Sequence, residues 1–391
     1  MNSDKKKIIN DIVKKISTLL NGKKTNLHDP YFSKYEIPFL KKCIDTGYVS
    51  TAGPMVSKFE NKIKKFTKSK HAISIVNGTE SVKIALICSG VKKDMEVFVP
   101  SLTFVGSVSP IVDIGAIPHF VDSDEDDFGV DINKFKKYLE DNTIFKNNKT
   151  FNKKTGKVIK AIIPVHVFGH PCRIDEIIKI CKKKNIIVIE DSTESLGSFY
   201  KNKHLGTFGL TGCLSFNGNK IITSGAGGMI ITNNTKIAKR VRHLSTTAKV
   251  QHEYEYIHND FGFNLRMTNI SAALGLAQFK NLKKFIKIKR RIFLMYHNGF
   301  KYMKNVKIFK ENKFSKSNYW LQTVILDNNI KSIKNELIEK LISKGIKVRP
   351  AWKLISTLKP YKKFPSMDLE GAKNIYSKIV NLPSGVNILL K

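Results

Sequence analysis

One lysine stands apart in a lysine-rich chain. Lys220 follows Ser215-Phe216-Asn217-Gly218-Asn219 and precedes Ile221-Ile222-Thr223-Ser224-Gly225-Ala226-Gly227-Gly228, a glycine-dense run that leads into the apolar stretch Met229-Ile230-Ile231. Its neighbours are small, apolar or neutral, the surroundings in which an amine serves as a nucleophile and not as a solvated surface charge. Two further stretches carry groups that could work beside it. Ile186-Ile187-Val188-Ile189 is a near-continuous apolar run ending in Glu190-Asp191, so two carboxylates sit at the carboxyl end of a strand buried on both faces. Strand His71–Val76 ends in Asn77-Gly78-Thr79-Glu80 before a helical pattern over 81–89, and a strand, tight turn and helix start present free backbone N–H groups to an anion. Taken alone, Asn77-Gly78-Thr79 is also a plain helix cap with Thr79 as the capping residue.

Alternating strands and helices must hold these groups. The spacing predicts helices over residues 1–25, 33–46 and 55–67, then strands 71–76, 97–99, 117–121, 158–165, 186–191 and 212–216 with helices between them. That rhythm, from about 55 to 240, means a mostly parallel α/β sheet, whose ligands bind beyond the carboxyl ends of its strands. Residues 140–157 are polar and Asn/Lys-rich and read as a surface loop. Asp122-Ser123-Asp124-Glu125-Asp126-Asp127 lacks the ligand spacing of an EF-hand and reads as a solvated acidic turn. After residue 265 the pattern turns helical, then gives strands 320–326 and 346–348 around a helix at 333–343, a smaller α+β unit.

Composition narrows the class. With 391 residues, 41% hydrophobic and 10% aromatic, the chain is that of a folded globular protein of two or three domains. No apolar run reaches membrane-spanning length, and the lysine-rich start lacks the apolar core of a signal peptide. Five scattered cysteines without a CxxC pair argue against a disulfide framework or a zinc site and for a reducing cytoplasm. The formal charge of +36 invites a nucleic-acid reading, yet it is almost all lysine, spread from end to end without a recognition element. Base readers lean on arginine, which is scarce here, so no specific nucleic-acid partner is expected.

Several segments in order carry a resemblance: 76–82 (VNGTESV), 100–105 (PSLTFV), 164–169 (PVHVFG), 189–198 (IEDSTESLGS), 206–209 (GTFG), 214–229 (LSFNGNKIITSGAGGM) and 261–275 (FGFNLRMTNISAALG). With them the chain resembles the DegT/StrS family of sugar-nucleotide aminotransferases that use pyridoxal 5'-phosphate (PLP). The segments 27–32 (LHDPYF), 44–53, 117–122, 244–250 and 381–385 are similar to a branch that aminates 4-keto-6-deoxy sugar nucleotides on routes to legionaminic acid, bacillosamine or perosamine-like sugars.

The resemblance implies the type I, aspartate-aminotransferase-like PLP-transferase fold. Its parts would be an N-terminal helical segment (1–50) packed on the small domain, a large PLP-binding domain (51–280) and a small C-terminal domain (281–391). It implies that Lys220 joins PLP through its amine and then carries the proton, and that Asp191 pairs with the ring nitrogen. Phe104 would cover the ring, and Gly78, Thr79, Glu80 and Ser215 would hold the phosphate. Asn264 would reach that phosphate from the second subunit of a homodimer. His166 would lie near cofactor or sugar; a core histidine satisfied by a backbone bond is the competing reading. Lys249, His258, Arg266 and Trp352 would shape the sugar pocket.

Glu194 stands where many members place Gln, a neutral donor to the cofactor's phenolic oxygen, which calls for a shared proton or a neighbouring lysine. The resemblance implies a further helix after 381–385 that is not seen in this sequence, and the expectation is a small domain loosely closed or completed by a neighbour. The expected partners are L-glutamate and a UDP- or GDP-linked, N-acetylated 4-keto sugar. Two alternatives stay open: a PLP-dependent sugar dehydratase, whose relatives carry His in place of Lys220, and a basic regulatory protein on the same fold.

Overall fold

The computed structural model describes residues 3–390; the first two residues of the N-terminal helix expectation lie outside them. Helix α1 (Ser3–Leu19) buries Ile9, Ile12, Val13 and Ile16, the spacing that one apolar helix face requires. Helices α2 (Glu36–Asp45) and α3 (Pro54–Thr67) follow, then β1 (His71–Ile75) and α4 (Gly78–Cys88). The central sheet goes on with β2 (Glu96–Pro100), β3 (Ile117–Val121), β4 (Thr143–Lys146), β5 (Lys149–Asn152), β6 (Val158–Ile162) and β7 (Ile187–Asp191). A small hairpin, β8 (Phe199–Tyr200) and β9 (Lys203–His204), comes before β10 (Thr211–Ser215) and β11 (Gly228–Thr232).

The nine-stranded sheet runs β1-β11-β10-β7-β6-β2-β3, with β4 and β5 attached at β6. From β10 to β3 every neighbour is parallel, while β11 is antiparallel to both β1 and β10. The carboxyl ends of β7 and β10 are therefore side by side, with Asp191 opposite Cys213. That register brings the Asp191 and Ser215 ends of two distant segments to one edge of the sheet.

Residues 140–157 are not a surface loop. They form the antiparallel β4–β5 hairpin, whose Asn147-Asn148 turn has φ values of 48° and 56°. Asparagine tolerates this left-handed region, so the pair closes a two-residue hairpin that its polar composition hides. Nor is 122–127 simply solvated. Asp122 and Asp127 are buried, with Lys134 at 2.7 Å from Asp122 and Arg173 at 3.7 Å from Asp127. Among the described residues no three His, Cys, Asp or Glu side chains gather to hold a metal.

Beyond β11, helices Asn269–Phe279 and Leu282–Phe300 lead to a four-stranded antiparallel sheet, 306–308, 322–326, 379–382 and 349–350 in spatial order. The strand expected at 346–348 lies slightly later, at Arg349–Pro350, because Ile346 instead bridges to Thr25 of the N-terminal segment. Helix α1 shares one apolar core with helix 282–300 and helix Lys334–Ser343, and Leu389 and Leu390 pack against the same core. No helix among the described residues is long and apolar enough to cross a membrane.

Candidate active site

A cavity of about 330 Å³ opens at the carboxyl ends of β7 and β10. Asn77, Gly78 and Thr79 wall one side, Thr103, Phe104 and Ser107 another, and Asp191, Glu194, Ser215, Lys220, Trp320 and Trp352 complete it. Eight of the residues expected from sequence at the cofactor or substrate are thus brought together: Gly78, Thr79, Phe104, Asp191, Glu194, Ser215, Lys220 and Trp352.

Lys220 sits in the connection between β10 and β11, with its N–H donating to the Asn217 carbonyl at 3.0 Å. Its Nζ lies 3.5 Å from Glu194 Oε1 and 4.1 Å from the centre of the Trp320 ring. Glu194 Oε2 accepts the Phe168 N–H at 2.8 Å. Burial pushes the Glu194 carboxyl up to about 7, against the opposing pull of Lys220 and the Phe168 N–H.

The sign of the pH effect follows. Between its ordinary value of 4.5 and about 7 the folded cofactor-free protein holds a proton on Glu194 that the unfolded chain has lost. Stability from this group is therefore full below about 4.5 and is lost as pH rises through about 7. Glu194→Gln, which cannot ionise, is expected to flatten the fall in Tm over that window. An unchanged pH profile of Tm would contradict it.

Asp191 is braced on both oxygens: Ser107 Oγ donates to Oδ2 at 2.6 Å, and the Thr193 N–H donates to Oδ1 at 3.0 Å. Ser107 in turn lies 2.7 Å from Thr103 Oγ1. The carboxylate is fixed, buried and on the cavity wall, which suits a charge partner for a protonated ring nitrogen.

At the cradle, Asn77 caps α4 by accepting the Glu80 N–H at 2.8 Å. The Glu80 amide, expected at the phosphate, thus donates to the Asn77 side chain here, and its carboxylate lies 4.0 Å from Lys83. The first-turn amides of Gly78 and Thr79 remain for an anion, since such amides have no intrahelical acceptor. Gly78 also has to be glycine, because a Cβ there would come within 2.9 Å of Ser215 Cβ and 3.1 Å of its Oγ. Gly78→Ala should force the helix start away from Ser215 and weaken PLP binding about tenfold, the loss of roughly 1–2 kcal/mol of hydrogen bonding. Equilibrium titration with PLP checks this, and wild-type affinity would contradict it.

The remaining residues lie elsewhere. His166 is fully buried, with Nε2 3.1 Å from Glu190 Oε2 and Nδ1 against Cys172, and it does not reach the cavity. Its partner Glu190 also accepts the N–H groups of Gly206, Phe208 and Gly209, so the pair ties the GTFG turn to β7. The competing core reading of His166 thus describes its place: the Cys172 N–H donates to Nδ1 at 3.4 Å, and the Glu190 carboxylate partners the other ring nitrogen. Asn264, Arg266 and Lys249 line a second, open cleft of about 650 Å³ that shares no residue with the first. His258 is exposed beside it, paired with Lys249 and 2.8 Å from the Thr247 carbonyl. Sequence reasoning passed over Ser107, Thr193 and Trp320. Thr193 stands inside the quoted 189–198 motif and Ser107 two residues beyond the 100–105 motif, each a hydroxyl residue close to Asp191 or Phe104, whereas nothing near Trp320 in sequence points to Lys220.

The site fits PLP: an anion cradle at Gly78, Thr79 and Ser215, a fixed acid at Asp191, an aromatic wall at Phe104 and an amine at Lys220 share one cavity. The chain belongs to the DegT/DnrJ/EryC1/StrS aminotransferase family, whose pattern matches residues 30–390. It is a PLP-dependent sugar aminotransferase. It is 34% identical over 362 residues to GDP-perosamine synthase of Escherichia coli O157:H7, covering 92% of each chain. It is 32% identical over 370 residues to the putative pyridoxal phosphate-dependent aminotransferase EpsN of Bacillus subtilis, covering 94% of this chain and 92% of that one. In fold it is similar to the aminotransferase PseC of Helicobacter pylori, with TM-score 0.84 and 23% identity over 93% of this chain and 95% of that one.

Proposed function

We propose that the chain moves the amino group of L-glutamate to C4 of a nucleotide-linked 4-keto-6-deoxy sugar, in a two-stage cycle that serves bacterial surface glycans. The observation that carries this reading is the meeting of Lys220, Glu194 and Asp191 in one cavity with an anion cradle, in a chain 34% identical to a GDP-perosamine synthase. When bound, PLP supplies an electron sink for charge that develops on the substrate carbon. Lys220 moves the proton at that carbon, and Asp191 keeps the charge balance that favours it. Gly78, Thr79 and Ser215 bind the phosphate, and Phe104 covers one ring face. Glu194, whose carboxyl burial raises to about 7 in the cofactor-free protein, stands 3.5 Å from the Lys220 amine.

Either UDP or GDP fits this reading, with an N-acetylated sugar as the leading acceptor. The separate cleft of Asn264, Arg266 and Lys249 supports a homodimer in which these residues serve the partner's cavity. We place the large PLP-binding domain at 51–280, the small domain at 281–391 with the 1–50 segment packed on it, and the enzyme in the cytoplasm. Lys220, in place of the His of sugar dehydratases, favours amine transfer over dehydration.

The test incubates the enzyme with L-glutamate and a panel of UDP- and GDP-linked 4-keto sugars and follows 2-oxoglutarate release. Release that depends on one 4-keto sugar nucleotide is the expected result. No release with any of them, alongside a gel shift that persists at physiological salt, would favour a nucleic-acid-binding protein instead.

A further inference from the structure

Two side chains that come from different parts of the chain converge on the Lys220 amine. Glu194 Oε1 lies at 3.5 Å from it and the centre of the Trp320 ring at 4.1 Å. Trp320 also holds the lysine's backbone, because its indole N–H donates to the Asn219 carbonyl at 2.7 Å. One asparagine braces both partners. Asn318 Nδ2 donates to the Glu194 carbonyl at 2.9 Å, while Asn318 Oδ1 accepts the Trp320 N–H at 2.8 Å. Behind Trp320, Lys289 is fully buried and donates to the Trp320 and Ser384 carbonyls, each at 2.8 Å.

We propose that Glu194 and Trp320 form a seat for the Lys220 ammonium in its unjoined state, with Asn318 and Lys289 as positioning residues that hold the seat's two halves. The need for such a seat rests on the PLP reading above. Once glutamate has loaded its amine, Lys220 is free, and a free ammonium in a partly closed cavity needs an electron-rich neighbour. A ring face beside a carboxylate meets that need without the mobility of solvent. The seat weights the balance between lysine-joined and lysine-free enzyme, and so sets how readily the amine-loaded form persists until the sugar arrives.

The experiment equilibrates PLP-loaded enzyme with fixed mixtures of glutamate and 2-oxoglutarate and reads the ratio of lysine-joined to lysine-free enzyme from its visible absorbance. Trp320→Leu is expected to raise that ratio about fivefold, the size of a half-buried cation–π contact. Trp320→Phe keeps a smaller, weaker ring face, and should raise it about twofold. A residue that only supports the fold would lower PLP content or Tm and leave the ratio alone. If Trp320→Leu does not fold, the Phe variant decides: an unchanged ratio overturns the proposal. A wild-type enzyme whose absorbance glutamate fails to bleach would instead count against the proposed function itself.

Discussion

Lys220→Ala is expected to cost about 10³-fold or more in turnover, because one side chain supplies both the nucleophile and the proton carrier, and general acid–base assistance alone is worth about 10²–10⁴. Lys220→Arg should lose as much. The guanidinium keeps a cation beside Glu194 and Trp320 but cannot join the cofactor. Running the two variants side by side separates charge from nucleophilicity, with initial rates of 2-oxoglutarate formation as the measure. Arg activity near wild type would mean that Lys220 acts only as a charge.

Asp191→Asn is expected to lower kcat about 10²–10³-fold while PLP still binds, since the loss falls on charge developing during reaction and not on the phosphate cradle. The carboxamide keeps the shape that Ser107 and Thr193 hold, so the backbone should stay in place. Ser107→Ala removes only one of the two braces and should cost about tenfold, one charge-assisted hydrogen bond of roughly 1.5 kcal/mol. The paired measurement is kcat beside the PLP content of the purified variants. Loss of PLP in step with kcat would instead make Asp191 a binding residue.

The parts of this site that sequence revealed are those written locally. An apolar run with two terminal carboxylates is a buried strand aimed at the crevice, and β7 places Asp191 there. A strand followed by Asn-Gly-Thr makes an anion cradle, and the start of α4 is on the cavity wall. Where the cap would fall was harder to read: Asn77, not Thr79, caps the helix, and the Glu80 amide donates to it. His166 stands in a motif of the family yet turns away from the cavity, because Glu190, fully buried, needs a partner for its charge. The hairpin at 143–152 was hidden by composition, since its turn is made by the same residues that make loops polar.

Contacts across long stretches of chain were not legible at all. Trp320 lies 100 residues beyond Lys220, and Asn318 reaches Glu194 across an interval of 124. No periodicity links such positions; only the packing of the C-terminal segment onto the sheet brings them together.

The central claim is that Lys220 is the residue joined to PLP. Borohydride reduction of the wild-type holoenzyme, followed by peptide mapping by mass spectrometry, tests it directly. The expected result is one reduced PLP adduct per chain, on the peptide that carries Lys220, which prior incubation with L-glutamate prevents. An adduct on another lysine, or none with Lys220 unmodified, would contradict it.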